Sequence, residues 1–189
     1  MAKHNELGSK GEDMAAEYLQ EHGFTVFISS GSERTLVRTL IEGVIDIPPH
    51  QVIGSTFSLA ATGQGDAAGR SYTYGPEDGI VLAGDLVTKN LKANKVFSII
   101  DEIGKAPVLV FGNSSGDFSM AQYALQHGGK AFMLLCDDTE RDYGDADAAE
   151  SFAEKCRELG FETVSMRDEF ETIYGDGVEM AQPEMEEAA

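Results

Sequence analysis

The stretch PVLVFGNSSGDFSM, residues 107–120, decides the fold that we predict for this chain. Its apolar run, residues 108–111, breaks into a turn that ends at Asp117, and a helix-like segment, residues 120–125, follows directly. This order predicts a buried parallel strand, a tight turn and a helix. In an open α/β sheet, ligands lie beyond the carboxyl ends of the strands, so we expect Asp117 to face a ligand. The alternative is that Asn113 and Asp117 only turn the chain and cap the helix.

Length, charge and cysteine content narrow the class of protein. The chain has 189 residues, 42% of them hydrophobic, which suits one domain with its own core. Its formal net charge is −19, so the average surface repels nucleic acid and anionic membranes, and we expect neither as a partner. No run reaches the roughly 20 apolar residues of a membrane span and no signal peptide is recognisable, so a cytoplasmic location is expected. Cys136 and Cys156 lack the spacing of a zinc site, so we expect reduced thiols.

A second strand, turn and helix are predicted nearer the start of the chain. Residues 10–22 have the pattern of an amphipathic helix, and residues 24–28 are β-prone and apolar. The turn that follows contains Ser30 and Gly31 and leads into a helical pattern over residues 33–41. Hydroxyl and backbone N–H groups at a helix N-terminus can hold an anion such as phosphate. The alternative is an ordinary serine-rich helix cap.

The segment from about residue 50 to 88 has a different pattern. Its glycines separate short β-prone runs, which predicts hairpins and not another strand-helix unit. These runs are residues 52–53, 56–59, 72–74 and 80–82. The helical pattern returns after Lys89 with Asn94 as the expected N-cap, so Lys95 falls in the first helical turn. A cation there opposes the helix dipole, which points to an anion such as phosphate as its partner; the alternative is an exposed lysine that tolerates this small cost.

The remaining segments complete an α/β pattern. Two further strands are predicted at residues 131–136 and 162–166, with a helix over residues 147–159 between them. The predicted organisation is an N-terminal helix (1–23), an α/β domain (24–175) with a β-hairpin insertion (about 50–88), and an acidic tail (176–189) that we expect to be disordered.

Three short motifs in this order are similar to those of a known family. An apolar strand ending in Ser-Gly occupies residues 24–31, a lysine opening a helix is Lys95 (with Lys92 as the less favoured alternative), and a strand followed by Gly-Asn-x-x-x-Asp ends at residues 112–117. Residues 14–174 thereby resemble the haloacid dehalogenase (HAD) superfamily of hydrolases, in its phosphoserine-phosphatase-like branch.

Two further stretches support this resemblance. Residues 137–141, DDTER, and residues 164–168, VSMRD, look like signatures of one bacterial subgroup of the family. Asn113 stands where the family's last motif has its first acidic residue, so the resemblance places the metal-binding carboxylate on Asp117 alone.

The resemblance implies a fold, an activity and roles for individual residues. The fold would be a Rossmann-like parallel sheet flanked by helices, and the activity Mg²⁺-dependent hydrolysis of a small phosphomonoester. Ser30, Gly31, Lys95 and Asn113 would contact the phosphoryl group, with Ser30 and Lys95 as catalytic residues. Asp117 would bind the Mg²⁺ ion, a hard cation that prefers oxygen ligands.

The chain departs from the family before Ser30. The family's first motif, a strand followed by Asp-x-Asp, supplies the nucleophile, whereas the only aspartate that precedes Ser30 is Asp13, in a predicted helix. Asp137 or Asp138 is a substitute that we do not favour. The first 23 or so residues weakly resemble a small endonuclease-like family instead. The alternative function is therefore a non-catalytic or truncated HAD-like protein that binds only phosphate or metal.

The missing motif also affects the predicted sheet. In the family its strand is central, between the strands that correspond here to residues 24–28 and 108–111. Without it, neighbouring strands carry unpaired backbone groups. We expect either that these two strands pair directly or that another chain fills the position, which would give a homo-oligomer through an incomplete sheet.

Overall fold

A computed structural model describes residues 10–174 of the chain. The predicted acidic tail, residues 176–189, and the first nine residues of the predicted N-terminal segment lie outside this part. In chain order the helices and strands are α1 (Lys10–Glu21), β1 (Ile28–Glu33), α2 (Arg34–Ile41), β2 (Val52–Ala61), β3 (Ile80–Thr88), α3 (Ala93–Glu102), β4 (Leu109–Gly112), α4 (Phe118–Gln126), β5 (Lys130–Leu135), α5 (Ala146–Leu159), β6 (Glu162–Ser165) and α6 (Met166–Glu169).

The strands form two three-stranded sheets, so the architecture is α/β with one mixed and one parallel sheet. The first has the order β1-β2-β3, with β1 parallel to β2 and β3 antiparallel to it. The second has the order β4-β5-β6 and is wholly parallel. β1 therefore pairs with β2 and not with β4, and the prediction that the strands before and after the missing motif pair directly is wrong for the described chain.

The parallel sheet packs on helices through the larger core. Val110 of β4 and Met133 of β5 lie on its helix-covered side, and short side chains on α4 let this helix approach closely. The buried members of this core are Ile99, Val110, Met120, Ala121, Ala124, Ala131, Met133, Cys156 and Phe161. Burial raises the pKa of the Cys156 thiol, which keeps it protonated.

A smaller core lies between the first two helices and the mixed sheet. Its buried residues are Ala16, Val37, Ile47 and Val52. α2 begins at Arg34 because the Glu33 carboxylate accepts hydrogen bonds from the backbone N–H groups of Thr35 and Leu36, at 2.9 and 2.7 Å. These bonds hold the pKa of Glu33 below its ordinary value against the opposing effect of burial. The predicted helix over residues 33–41 is thus confirmed to within one residue.

The first strand lies further along the chain than predicted. It spans Ile28–Glu33 instead of residues 24–28, and Phe24 is 41% exposed. The ladder to β2 fixes this register, since Ile28 pairs with Val52 and Ser29 with Ile53. Ser30 consequently lies within the strand, not in a turn at a helix N-terminus.

The segment predicted as inserted hairpins contains one hairpin, and part of it belongs to the core. β2 is a single ten-residue strand whose first four residues are buried against β1, while its outer half pairs with β3. Gly54 lets β2 approach both β1 and the start of α2, because a Cβ there would lie 3.0 Å from the carbonyl oxygen of Ser32 and 2.8 Å from the Cα of Arg34. The predicted strand over residues 72–74 is not formed. Instead the Tyr72 hydroxyl donates to Oδ2 of Asp78 at 2.8 Å and closes the hairpin end.

The start of α3 also differs from the prediction. Asn94 is not the N-cap, because the helix begins at Ala93 and the cap position is Lys92, with a φ of 52°. The Asn94 amide instead donates to the carbonyl of Lys89 at 2.8 Å. Within residues 10–174, none of the helices combines the length and the apolarity needed to cross a membrane.

Candidate functional site

A buried ion pair joins the two sheets. The Nζ atom of Lys95 lies 2.9 Å from Oδ1 of Asp117, and the two residues are only 4% and 7% exposed. Nζ of Lys95 also donates to the backbone carbonyl of Ser29 in β1. One ammonium group therefore bridges the mixed sheet and the turn that follows β4.

The backbone around Lys92 places Lys95 at this point. Lys92 has a positive φ, in the region that is costly for residues other than glycine, and its N–H donates to the carbonyl of Gly116 at 3.1 Å. This contact ties the start of α3 to the turn before α4. Lys95 is the third residue of α3, so its side chain reaches across to that turn and to β1.

The turn after β4 holds Asp117 in one orientation. Its Oδ2 accepts hydrogen bonds from the N–H groups of Asn113 and Ser114, at 3.2 and 3.3 Å, and from the Ser114 hydroxyl at 3.2 Å. Gly112 leaves the necessary room, because a Cβ there would lie 2.7 Å from the Cβ of Asp117. Asp117 does not cap α4 through its side chain. The simple turn-and-cap alternative is therefore incomplete, since the carboxylate is committed to the turn and to Lys95.

The predicted phosphate-binding serine lies close to the pair but does not contact it. The half-buried Ser30 accepts a hydrogen bond from the N–H of Ser32 at 3.1 Å through its hydroxyl oxygen. The contact with Lys95 comes from the carbonyl of the preceding residue, Ser29. Gly31 is close to the loop before α3, since a Cβ there would lie 2.6 Å from Cδ2 of Leu91. Lys95 and Asp117 are thus brought together, with Ser30 and Gly31 next to them in the middle of β1.

Asn113 contributes through its backbone. Its N–H binds Asp117, while its side chain is exposed. Lys92, the alternative to Lys95, is exposed and acts as the cap residue of α3.

Asn90 is a residue of this site that the sequence reasoning missed. Its side chain is completely buried, and its amide donates to Oγ of Ser29 at 3.1 Å and to the carbonyl of Ser30 at 2.9 Å. Its backbone N–H donates to Oγ of Ser55, which itself donates to the carbonyl of Gly31 at 2.7 Å. Oδ1 of Asn90 is buried without a hydrogen-bond partner among the described residues. The available signal was an amide residue between the end of an apolar strand and the helix that carries Lys95.

The aspartates after β5 have structural contacts. Oδ2 of Asp137 accepts from the Ser165 hydroxyl at 2.6 Å, and its Oδ1 accepts from the N–H of Arg167 at 3.0 Å. Asp138 is 2% exposed, and Nε of Arg141 lies 2.6 Å from its Oδ2. Burial alone would raise the pKa of Asp138, but hydrogen bonds from Arg141 and Glu140 hold it below the ordinary value. Neither carboxylate is free to act as a nucleophile in this arrangement.

Arg141 connects the two stretches that look like subgroup signatures, residues 137–141 and 164–168. Its Nη1 donates to the carbonyl of Phe170 at 2.9 Å, and its Nη2 donates to the carbonyls of Met166 and Arg167, at 3.1 and 2.9 Å. The guanidinium thus joins the turn after β5 to the helix after β6. These hydrogen bonds indicate a structural role for Arg141.

The residues around the pair offer limited ligands for a metal ion. Within the described chain no group of three or more His, Cys, Asp or Glu side chains is arranged to hold a metal. Asp117 contributes one carboxylate, and both of its oxygens already have partners. Mg²⁺ is commonly held by one or two carboxylates together with substrate phosphates and water. The donor set therefore fits Mg²⁺ only if a bound phosphoryl group provides further oxygens and Lys95 moves off Oδ1.

Comparison with known proteins adds no assignment. No family model matches the chain, and a search of curated proteins also finds no match.

Proposed function

We propose that this chain is a HAD-like hydrolase domain of Rossmann-like descent that binds a small phosphomonoester and hydrolyses it with Mg²⁺. The observation that supports this most is the buried contact of Lys95 with both Asp117 and Ser29 of β1. These are the segments that resemble the family's phosphate-binding, lysine and metal-binding motifs, and Asp117 lies beyond the carboxyl end of β4, where ligands bind in α/β sheets.

Lys95 has the donor needed to hold a phosphoryl oxygen. An ammonium group has three N–H donors, and two of those of Lys95 are used by Ser29 and Asp117. A phosphoryl oxygen would take the third and would compete with Asp117 for the charge. The Ser30 hydroxyl can assist, because its oxygen accepts from Ser32 and its own proton remains available for donation.

Binding of the phosphoryl group would free Asp117 for a metal ion. Once Lys95 turns toward the phosphoryl oxygens, Oδ1 of Asp117 loses its ammonium partner, while Oδ2 stays anchored by the turn. Mg²⁺ bound there would neutralise charge on the phosphoryl group. Asn113 and Gly31 would act through their backbone at the two sides of the site.

The hydrolysis that we propose uses water as the attacking group. The bond from the water oxygen to phosphorus forms as the bond from phosphorus to the ester oxygen breaks, and the departing alcohol takes up the proton that water loses. No carboxylate beside Lys95 in the described chain is available to form an aspartyl-phosphate, so positioning and charge neutralisation carry the rate enhancement.

The alternative is a HAD-like domain that binds phosphate or metal without turnover. The observation that favours it is the commitment of Asp117, Asp137 and Asp138 to partners within the chain. Both proposals use the same binding residues, and they differ in whether the ester bond breaks.

The test measures hydrolysis and ligand binding on the same protein preparations. Hydrolysis of p-nitrophenyl phosphate is measured with Mg²⁺ and with EDTA for the wild type, for Asp117→Asn and for the surface control Asp168→Asn. Thermal unfolding with inorganic phosphate and with Mg²⁺ is measured in parallel for these proteins and for Lys95→Met. We expect turnover that requires Mg²⁺ and falls about a hundredfold in Asp117→Asn, since removing one stabilising group costs about that much.

Each other result has a defined meaning. A phosphate-dependent rise in Tm that Asp117→Asn or Lys95→Met alters, without turnover in any variant, favours the non-catalytic alternative. The absence of turnover, of a phosphate effect on Tm and of a Mg²⁺ effect on Tm overturns both proposals. Turnover that is equal in wild type and Asp117→Asn places the chemistry elsewhere.

A further inference from the structure

The third strand of the mixed sheet is apolar and exposed. All its residues except the last, Thr88, are exposed, although the sequence IVLAGDLVT contains five large aliphatic residues. The adjoining exposed side chains on this strand and on β2 are Leu59 (62% exposed), Ile80 (68%), Val81 (45%), Leu82 (58%), Leu86 (52%) and Val87 (65%). Exposed apolar patches of this kind mark interaction sites in soluble proteins.

The same strand is also an open edge. β3 pairs with β2 on one side, and no other strand of the described chain pairs with it. Its outer N–H and C=O groups can therefore extend the sheet with another strand. Cross-strand pairs Leu59–Leu82 and Phe57–Leu86 place apolar side chains together on one face of the hairpin.

We propose that this edge binds the β3 strand of a second copy of the chain, antiparallel and centred on Gly84. The order of residues in β3 is nearly the same in both directions about this glycine. In this register Leu82 lies opposite Leu86 of the second copy, and Val81 lies opposite its Val87. The two three-stranded sheets then become one sheet of six strands, a common size.

The charge pattern of β3 agrees with this register. Asp85 is its only charged residue, and it lies opposite Ala83 of the second copy, so no two carboxylates face each other directly. Each copy as a whole is strongly acidic, with a net charge of −19. The two copies therefore repel at long range, and salt should strengthen the dimer.

The ladder between β2 and β3 is irregular in two places, between Leu82 and Leu86 and between Leu86 and Thr88. Leu82 and Leu86 are four residues apart in β3, whereas their partners in β2, Leu59 and Phe57, are two residues apart. Gly84, in the middle of the longer stretch, has a φ of 97°. The two extra residues are an even number, so Leu82 and Leu86 stay on the same face. At the centre of the register, the irregular stretch around Gly84 of one copy meets that of the other.

The exposed apolar area of the hairpin is comparable to that of a small interface. Six aliphatic side chains that are about half exposed present on the order of 500 Å² per copy, so a dimer that covered them fully in both copies would bury about 1,000 Å², the lower bound of a specific interface. An anionic membrane surface is disfavoured as the partner by the charge of the chain. The near-symmetry of β3 favours a second copy over an unrelated strand, which would need no such symmetry.

The first test measures the oligomeric state by sedimentation velocity over a range of concentrations and salt. We expect a dimer whose dissociation constant falls as salt rises. Leu82→Lys with Leu86→Lys should raise that constant at least about tenfold, because lysines would face each other across the pair. The matched control is Val44→Lys, a change at a 52% exposed position outside the hairpin, and it should leave the constant unchanged.

The second test checks the register. Leu82→Cys and Leu86→Cys are prepared separately in a Cys136→Ser background, then mixed and oxidised. Opposed residues of an antiparallel pair have Cα atoms about 4.5–5.5 Å apart, which suits a disulfide. The mixture should therefore cross-link, whereas each variant alone should not, since like positions are offset by two steps of β2, about 7 Å along the strand, in addition to the spacing between strands, which exceeds the reach of a disulfide.

Three outcomes overturn the proposal. One is that the protein stays monomeric at every concentration and salt condition at which it is soluble. This outcome includes a monomer that binds vesicles or another protein through β3. Another is a dimer that the paired lysine substitutions do not weaken. The last is a dimer in which cross-linking of the single variants equals that of the mixture.

Discussion

The ammonium of Lys95 lies 2.9 Å from Oδ1 of Asp117, with both side chains less than one tenth exposed. Such a pair carries its own desolvation cost, so its presence alone does not indicate added stability. Removing one partner of the pair should destabilise the fold, because the remaining charge would be buried without a partner. The site and the stability of the fold therefore depend on the same contact.

Lys95→Met should lower the free energy of unfolding by about 3–5 kcal/mol, because it leaves the Asp117 carboxylate buried and unpaired. Urea denaturation measures the loss. Lys130→Met is the control: Lys130 pairs with Glu162 at 3.3 Å on the surface, and its loss should cost less than about 1 kcal/mol. Equal losses in the two variants would show that the Lys95 pair is solvated.

Asn90→Ala should destabilise the fold by about 1–3 kcal/mol, because the carbonyl of Ser30 would lose its buried donor. Asn94→Ala provides the comparison, since this amide also donates to a backbone carbonyl but at the surface. Its effect should stay below about 1 kcal/mol, because water replaces the lost donor. If the two substitutions have equal effects, the Asn90 side chain does not hold β1 in place.

The stability contributed by Asp138 should depend on pH. Its pKa in the folded protein lies below the ordinary value of 3.8, so its contribution is complete above about pH 4 and is lost as the pH falls through the folded pKa. Asp138→Asn should therefore cost about 2 kcal/mol at pH 7, and less at pH 3 or below. Urea denaturation at pH 7, 5 and 3 measures this trend. The same loss at all three pH values would mean that the charge of Asp138 contributes nothing.

Gly112→Ala should cost about 1–3 kcal/mol, since the added Cβ would lie 2.7 Å from the Cβ of Asp117 and overpack the turn. It should also weaken any effect of phosphate on Tm, because Asp117 must shift. Gly69→Ala is the control, as the nearest atom to its added Cβ is Nε2 of Gln64 at 4.0 Å. Thermal unfolding with and without phosphate compares the two variants. An unperturbed Gly112→Ala protein would show that the turn can relax freely.

The sequence predicted the parallel strand-helix units well where local signals agree. The strand, turn and helix around residues 107–120 correspond to β4 and α4, and the predicted strands near residues 131–136 and 162–166 correspond to β5 and β6. Apolar runs bounded by glycine and polar turn residues specify such units locally. The predicted strands were less accurate near residues 24–33 and 72–74, because contacts with distant segments of the chain determine the backbone structure there.

The candidate site was predictable only in part. Lys95 and Asp117 were named from their positions in the sequence, and the structure brings them into contact. Asn90 was not named, because its sequence signal was only its place between an apolar strand and the helix that carries Lys95, with no periodic or motif pattern. The role of Asp138 with Arg141 also depends on contacts between segments about 30 residues apart.

The amino-acid sequence by itself determined the α/β class and the order of most strands and helices, and it named the lysine and aspartate that the structure brings into contact. These features follow from short-range hydrophobic patterns, turn residues and helix signals. Only the tertiary structure decided that the strands divide into two sheets, that β1 starts at Ile28, and that the Ser29 carbonyl, not the Ser30 hydroxyl, contacts Lys95. The physical reason is that strand register and burial of charge are set by pairing between distant segments, which no local pattern specifies.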